Sequence, residues 1–275
     1  MNSNTNRAPI LESPPVVEVA ITVHFLPSEN APSWSKDLVF GFFDNEEWPY
    51  SDEKNQELRI EGKLTLPNLE KMSRHGEGKL EQRLKNVLRY HQEQTFSLEV
   101  GQDYFTLTSH RRGRDYPGFS AIMKEWEIVF QKYVSHFEPD FVSRISLIYI
   151  DNVPVHADDD KRIELKDYFH FRPEYPDDDF GDCVHFEQNM LFPVKGKSNQ
   201  ALAVSFQTMP KEREDEARVF RIVWQYIIKY DMPIESDSNV VKPDLAIAKS
   251  VITNRFQNSF FTEKAWSLFK PIQTS

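Results

Sequence analysis

Apolar residues recur along this chain in two rhythms, and the change from one to the other marks out its elements. From Val16 to Phe25, Val17, Val19, Ile21, Val23 and Phe25 alternate with Glu18, Thr22 and His24. A period of two puts the first set on one face of a strand and the second on the other, which predicts a half-buried first strand. From Phe119 to Phe137 the step changes to three and four: Phe119, Ile122, Met123, Trp126, Val129, Phe130, Tyr133, Val134 and Phe137. That spacing lays a broad apolar face along a helix, started by Pro117-Gly118 and stopped by Pro139. Directly after it, Phe141 to Val153 is β-branched and aromatic and too apolar for a one-sided surface strand, so it reads as central in a sheet.

The remaining elements follow from the same two periods. A helix of about three turns is predicted within Trp34 to Phe43, and a strand from Leu58 to Leu66 closed by Pro67. Lys79 to Gln94 fits both periods and is read as a helical or irregular start that turns into a strand. Thr95–Val100 and Tyr104–Ser109 flank Gly101-Gln102-Asp103, the composition of a tight hairpin. Strands are expected again at Cys183–Phe192, Ala201–Gln207 and Val219–Ile228. Pro243 then opens a closing helix carrying Leu245, Ala248, Ile252 and Phe256, followed by an aromatic tail of Phe260, Phe261, Trp266 and Phe269.

Both halves therefore show strand, short helix, several antiparallel strands and long helix. The expected fold is α+β: two β-α-βn-α pseudo-repeats, mainly antiparallel sheet covered by two long amphipathic helices. The expected organisation is a disordered tail over 1–13, an N-terminal half over 14–140 and a C-terminal half over 141–275.

Composition narrows the function classes. With 275 residues and 39% hydrophobic content, the chain is long enough for a large core. Only nine glycines stand against 21 phenylalanines, which leaves few places for a glycine-lined phosphate cradle. A net charge of −10 disfavours nonspecific attraction to nucleic acid. The one cysteine, Cys183, rules out an intrachain disulfide framework and a thiolate zinc site built from this chain alone. The N-terminus has no apolar leader core, and no run approaches the roughly 20 apolar residues of a membrane span. A cytoplasmic location is expected.

Candidate chemistry is sparse. His185 and Glu187 lie two apart on an expected strand and share a face, as a proton-transfer pair or part of a metal site would. The wet face of a sheet explains the pair equally well, and His24 joins them if the halves pack edge to edge. His110, Arg111, Arg112 and Arg114 form the one concentrated positive patch, suited to a phosphate or an acidic partner, or to pairing with the nearby acidic runs. Asp158–Asp160 and Asp177–Asp179 lack the spacing and turn glycine of a calcium loop. No G-x-S-x-G, H-E-x-x-H, P-loop or dinucleotide fingerprint is present. No cofactor and no metal site is expected.

Four segments together resemble a sporadically distributed family of uncharacterised bacterial and archaeal proteins of about this length. They are Pro14-Pro15-Val16-Val17-Glu18-Val19, the Tyr116-Pro117-Gly118-Phe119 lead-in to the central helix, Val142 through Asn152, and Phe256 through Phe269 with its Phe-Thr-Glu-Lys. That family brings no established activity, so the resemblance implies no catalytic residue. Its patchy distribution is like that of genes on mobile elements. The expectation is thus a non-enzymatic component that binds another protein, of a defence, toxin-neutralising or other mobile-element system, such as phage defence or an antitoxin. Arg111, Arg112 and Arg114 are the expected partner contacts. The alternative is a small-ligand binder or enzyme with a pocket between sheet and helix, using His24, His185 and Glu187.

Overall fold

The computed structural model describes residues 15–29, 31–44, 48–50, 56–65, 79–91, 93, 95–111, 115–155, 165–170, 187–209 and 218–269. In chain order these form β1 (Val16–Leu26), α1 (Lys36–Phe43), β2 (Gln56–Thr65), β3 (Lys79–Tyr90), β4 (Phe96–Gly101), β5 (Tyr104–His110), α2 (Phe119–Phe137) and β6 (Phe141–Val155). There follow β7 (Glu187–Val194), β8 (Lys197–Thr208), β9 (Arg218–Glu235), α3 (Ser238–Arg255) and α4 (Glu263–Leu268). The expected 1–13 tail lies outside the described residues.

All nine strands join one sheet in the order β2-β3-β4-β5-β1-β6-β9-β8-β7. Every neighbouring pair is antiparallel. On β1, Val19, Ile21, Val23 and Phe25 are buried, as the alternation predicts. Their row continues through Phe105 and Leu107 of β5, Leu147 and Tyr149 of β6, and Ile222 and Trp224 of β9. The helices lie on this side. α2 buries Ile122, Trp126, Val129, Phe130, Tyr133 and Phe137, and Phe25 stacks on Tyr133 at 4.7 Å. Its start follows Gly118, whose φ of 81° favours glycine. Its end is Glu138 in the left-handed region, donating its N–H to the Val134 carbonyl.

The expected fold class is overturned. In place of two equivalent cycles there is one continuous sheet, because β1 and β6 hydrogen-bond to each other from Val16/Asp151 to Leu26/Phe141. The two stretches of chain are also unequal. The first inserts α1 and four strands before α2, whereas the second has, among the described residues, a 3-10 turn at Leu165–Asp167 and three strands before α3. Nor do two matched amphipathic helices form the cover. Only α2 carries a broad apolar face; α3 buries a narrower stripe, Val241, Leu245, Ala248 and Ile252, and runs into a π-helical turn at Phe256–Phe260. An aromatic cluster of Phe169, Phe206, Phe220, Phe260 and Phe261 completes the core there. Element order says which segments extend or coil. It does not say which edges meet, and a strand with two open edges pairs on both.

Two local expectations are corrected as well. Lys79–Tyr90 is strand throughout, since pairing with β2 from Thr65/Lys79 to Gln56/Arg89 outweighs its helix-compatible leucine spacing. The closing helix starts at Ser238 with Asp237 as its cap, accepting from the Asn239 N–H at 2.8 Å, so Pro243 lies inside the helix. No described helix is long and apolar enough to cross a membrane.

Candidate functional site: the uncovered face of the sheet

With the described helices on one side, the other residues of each central strand look away from them, and no described element lies over them. On β1 these are Glu18, Ala20, Thr22 and His24; on β5, Tyr104, Thr106, Thr108 and His110. On β6 they are Arg144, Ser146, Ile148, Ile150 and Asn152, and on β9 Arg221, Val223, Gln225, Ile227 and Lys229. The face divides into a polar part over β3, β4, β5 and β1, and an apolar part over β6, β9, β8 and β7.

The polar part holds two clusters. At one end, the Tyr104 hydroxyl donates to Glu99 Oε1 at 2.6 Å, and the Asn86 amide donates to the Tyr104 oxygen at 2.7 Å and to Glu99. Tyr104 also lies across Gly101, where a Cβ would come within 2.2 Å of its ring. His24 is 5.5 Å from that ring, and the Arg144 guanidinium hydrogen-bonds to its Nε2. Burial first, then the Arg144 charge, lowers its pKa to about 4, against a smaller opposing pull from Asp103. At neutral pH His24 is therefore an uncharged acceptor whose lone pair is already taken, which unsuits it to proton transfer.

At the other end, Ser97 Oγ lies 2.8 Å from His110 Nε2, and His110 Nδ1 lies 3.4 Å from Glu18 Oε1. Hydroxyl, imidazole and carboxylate follow in the connectivity of an activated nucleophile. Two features turn the relay to structural use. Ser97 is 4% exposed. Its strand is paired on both sides, so the neighbouring amides belong to the ladder and cannot form an oxyanion hole. No signal in the sequence marks this cluster, because its three residues meet only through the register of three strands.

The expected trio does not assemble. Glu187 begins β7, exposed, and accepts from the Asn189 amide at 3.0 Å. It lies level with Gln207, Arg221 and Asn152, whereas His24 is level with Arg144 and Lys229 at the opposite end of β6. Four strand spacings separate β7 from β1, roughly 19 Å. His185 lies outside the described residues, as do Arg112, Arg114, Cys183 and both aspartate triplets. Among the described residues no cluster of His, Cys, Asp and Glu could hold a metal ion.

The apolar part presents Ile148, Ile150, Val223, Ile227, Ala201 and Ala203 around Gln225, with Ala20 of β1 adjoining and Leu191 of the edge strand 64% exposed. Arg144 and Lys229 border it at one end, and at the other Arg221, whose Nε donates to Asn152 Oδ1 at 3.2 Å. Between those borders the facing residues of β6, β9 and β8 include no carboxylate. Border to border, eight residue steps by four strand spacings span a face of roughly 500 Å², in which Ser146, Gln225 and Ser205 interleave with the apolar residues. That is more than half of the roughly 800 Å² each partner contributes to an ordinary protein interface.

Comparison with protein-family models and with curated proteins finds no match. The surface chemistry of the chain is thus what speaks to its role. Arg111 follows β5 directly and is tied to β1 by its N–H, which donates to the Val17 carbonyl at 2.9 Å. It stands beside Glu18 and His110 at the edge of the polar part.

Beneath the sheet, on the helix side, lies one more polar group. Asp151 on β6 is 1% exposed; its Oδ2 accepts from the Trp224 indole at 2.8 Å, and its Oδ1 has no hydrogen-bond partner among the described residues. Burial pushes its pKa up to about 7, partly offset by the Trp224 bond. Tyr116 and Tyr149 face each other at 3.5 Å nearby. Burial raises both phenols above their ordinary value, and the Asp151 charge adds to the effect.

Proposed function

We propose that this chain is a non-enzymatic protein-binding component whose working surface is the uncovered face of the sheet. The observation that carries the reading is the apolar patch of Ile148, Ile150, Val223 and Ile227 bordered by Arg144, Lys229 and Arg221. A contiguous apolar surface rimmed by charge is the anatomy of a protein interface. Its border is cationic in a chain of net charge −10. The partner this suits has an apolar strip flanked by carboxylates, the charged rims fixing register more than affinity. Arg111, with Arg112 and Arg114, completes the proposed set of partner contacts by its charge. The resemblance carried by Val142–Asn152 and Phe256–Phe269 supports a place in a prokaryotic defence, toxin-neutralising or other mobile-element system.

A photo-crosslinking amino acid tests this in native cells, placed at Gln225 in the patch or at Ile128, 53% exposed on the outer side of α2. The expected outcome is a discrete protein adduct from position 225 and none from 128. Equal adducts from both positions, adducts from 128 alone, or capture of nucleic acid at 225 would count against the proposal.

A further inference from the structure

A pocket of about 220 Å³ opens where the β1–α1 connection and the β4–β5 turn meet the C-terminal end of α2. Phe25, Trp34, Leu38, Asp103, Tyr133 and Phe137 line it, together with three prolines, Pro27, Pro32 and Pro139. Tyr133 stacks on Phe25 at 4.7 Å and lies 4.6 Å from Phe137, which in turn is 5.8 Å from Trp34. The Tyr133 hydroxyl is held by the Gly101 carbonyl at 3.2 Å, which fixes the ring.

From these observations we infer that the pocket is a binding site for a small organic cation, an alkylammonium group. Three independent features converge on positive charge. Aromatic faces attract a cation through their quadrupoles, most strongly when the site sheds water. Asp103 adds an acidic side chain to the lining, and its field also reaches His24. The pocket also adjoins the last turn of α2, ending at Phe137 and Glu138, where the helix macrodipole is negative. Among the described residues no Lys, Arg or His lines the pocket to compete for these groups. Its size selects further: it is smaller than the roughly 300–1,000 Å³ of sites for drug-sized ligands, so it takes a head group of a few heavy atoms. This site is separate from the proposed protein-binding face, and each reading can fail without the other.

The test is a titration of the full chain with choline chloride, followed by the indole N–H signal of Trp34 in NMR, with 3,3-dimethylbutan-1-ol as the uncharged isostere. Choline should shift the Trp34 signal at millimolar concentration, and the alcohol should bind at least roughly tenfold more weakly, the size of a single favourable cation–aromatic and carboxylate contact. Asp103→Asn, at an exposed turn position, should weaken choline roughly fivefold to tenfold without moving the melting temperature. N-acetyl-lysine amide run in parallel separates a free quaternary amine from a lysine side chain as the natural source; tighter binding of either supports the site. Equal affinity for choline and the alcohol, unchanged affinity in Asp103→Asn, or no Trp34 shift with choline or the lysine amide at about 10 mM overturns the inference.

Discussion

Replacing Asp151 by Asn should stabilise this protein at neutral pH, and the burial of an incompletely bonded carboxyl gives the sign. The carboxyl sits on the helix side of the central strand with one oxygen bonded to Trp224 and the other unpartnered among the described residues. Its midpoint moves from 3.8 to about 7 on folding, which at 1.36 kcal/mol per tenfold corresponds to on the order of 4 kcal/mol against the charged form. Below pH 3.8 the group is protonated in folded and unfolded chains alike, and the penalty is absent. Between 3.8 and about 7 the folded chain keeps a proton that the unfolded chain has released, so this group's contribution to stability falls as pH rises. Above 7 the full penalty stands. Asp151→Asn removes the titration but keeps an oxygen to accept from the Trp224 indole. Urea unfolding at pH 4, 6 and 8 should show near-equal stability at pH 4 and a variant more stable by roughly 2–4 kcal/mol at pH 8. A variant less stable at pH 8, or a difference that does not change with pH, would refute the reasoning.

Two further perturbations test the core and the surface. Trp126 is 0% exposed, packs 4.9 Å from Phe130, and its indole N–H has no hydrogen-bond partner among the described residues. Trp126→Ala therefore loses burial and leaves a cavity, at roughly 3–5 kcal/mol; an unchanged melting temperature would contradict its place on the inner face of α2. Arg111→Glu should weaken a protein complex formed through the open face while leaving circular dichroism and melting unchanged, the outcome expected of a rim charge. Tight binding of duplex DNA at low salt by the parent chain, lost in this variant, would point instead to a polyanion partner.

What could be read in advance was what each segment does alone. Val19, Ile21, Val23 and Phe25 announce a one-sided strand because burial follows the period of two, and Trp126, Phe130 and Tyr133 announce a helix because it follows the period of three and four. β3 was illegible because Leu80, Leu84, Val87 and Leu88 satisfy the helical step, and only the partner strand decides. The Ser97–His110–Glu18 relay was hidden for a different reason: its members come from β4, β5 and β1, and a slip of one residue would send them to opposite faces. Asp151 looks in sequence like the polar end of an apolar strand. In the sheet β6 continues to Val155, and the same residue lies deep in the core. His24 and Glu187 were paired on a face argument that is sound for each strand and silent about distance across the sheet.

The order of the strands has a consequence for how the protein is born. β1 leaves the ribosome before the other described strands, yet both of its neighbours arrive late: Val23 pairs with Phe105 on one side and with Ile145 on the other. At roughly 5–20 residues per second, the most apolar early segment waits on the order of ten seconds for its first edge to be covered, and longer for its second. Such distant pairings close large loops before any contact rewards them, which makes folding slow. During that interval the nascent chain exposes an unpaired strand with a greasy face, a natural client for chaperones. The sheet can close only when β6 docks between β1 and β9, so the two flanks of the molecule are committed together, late in synthesis.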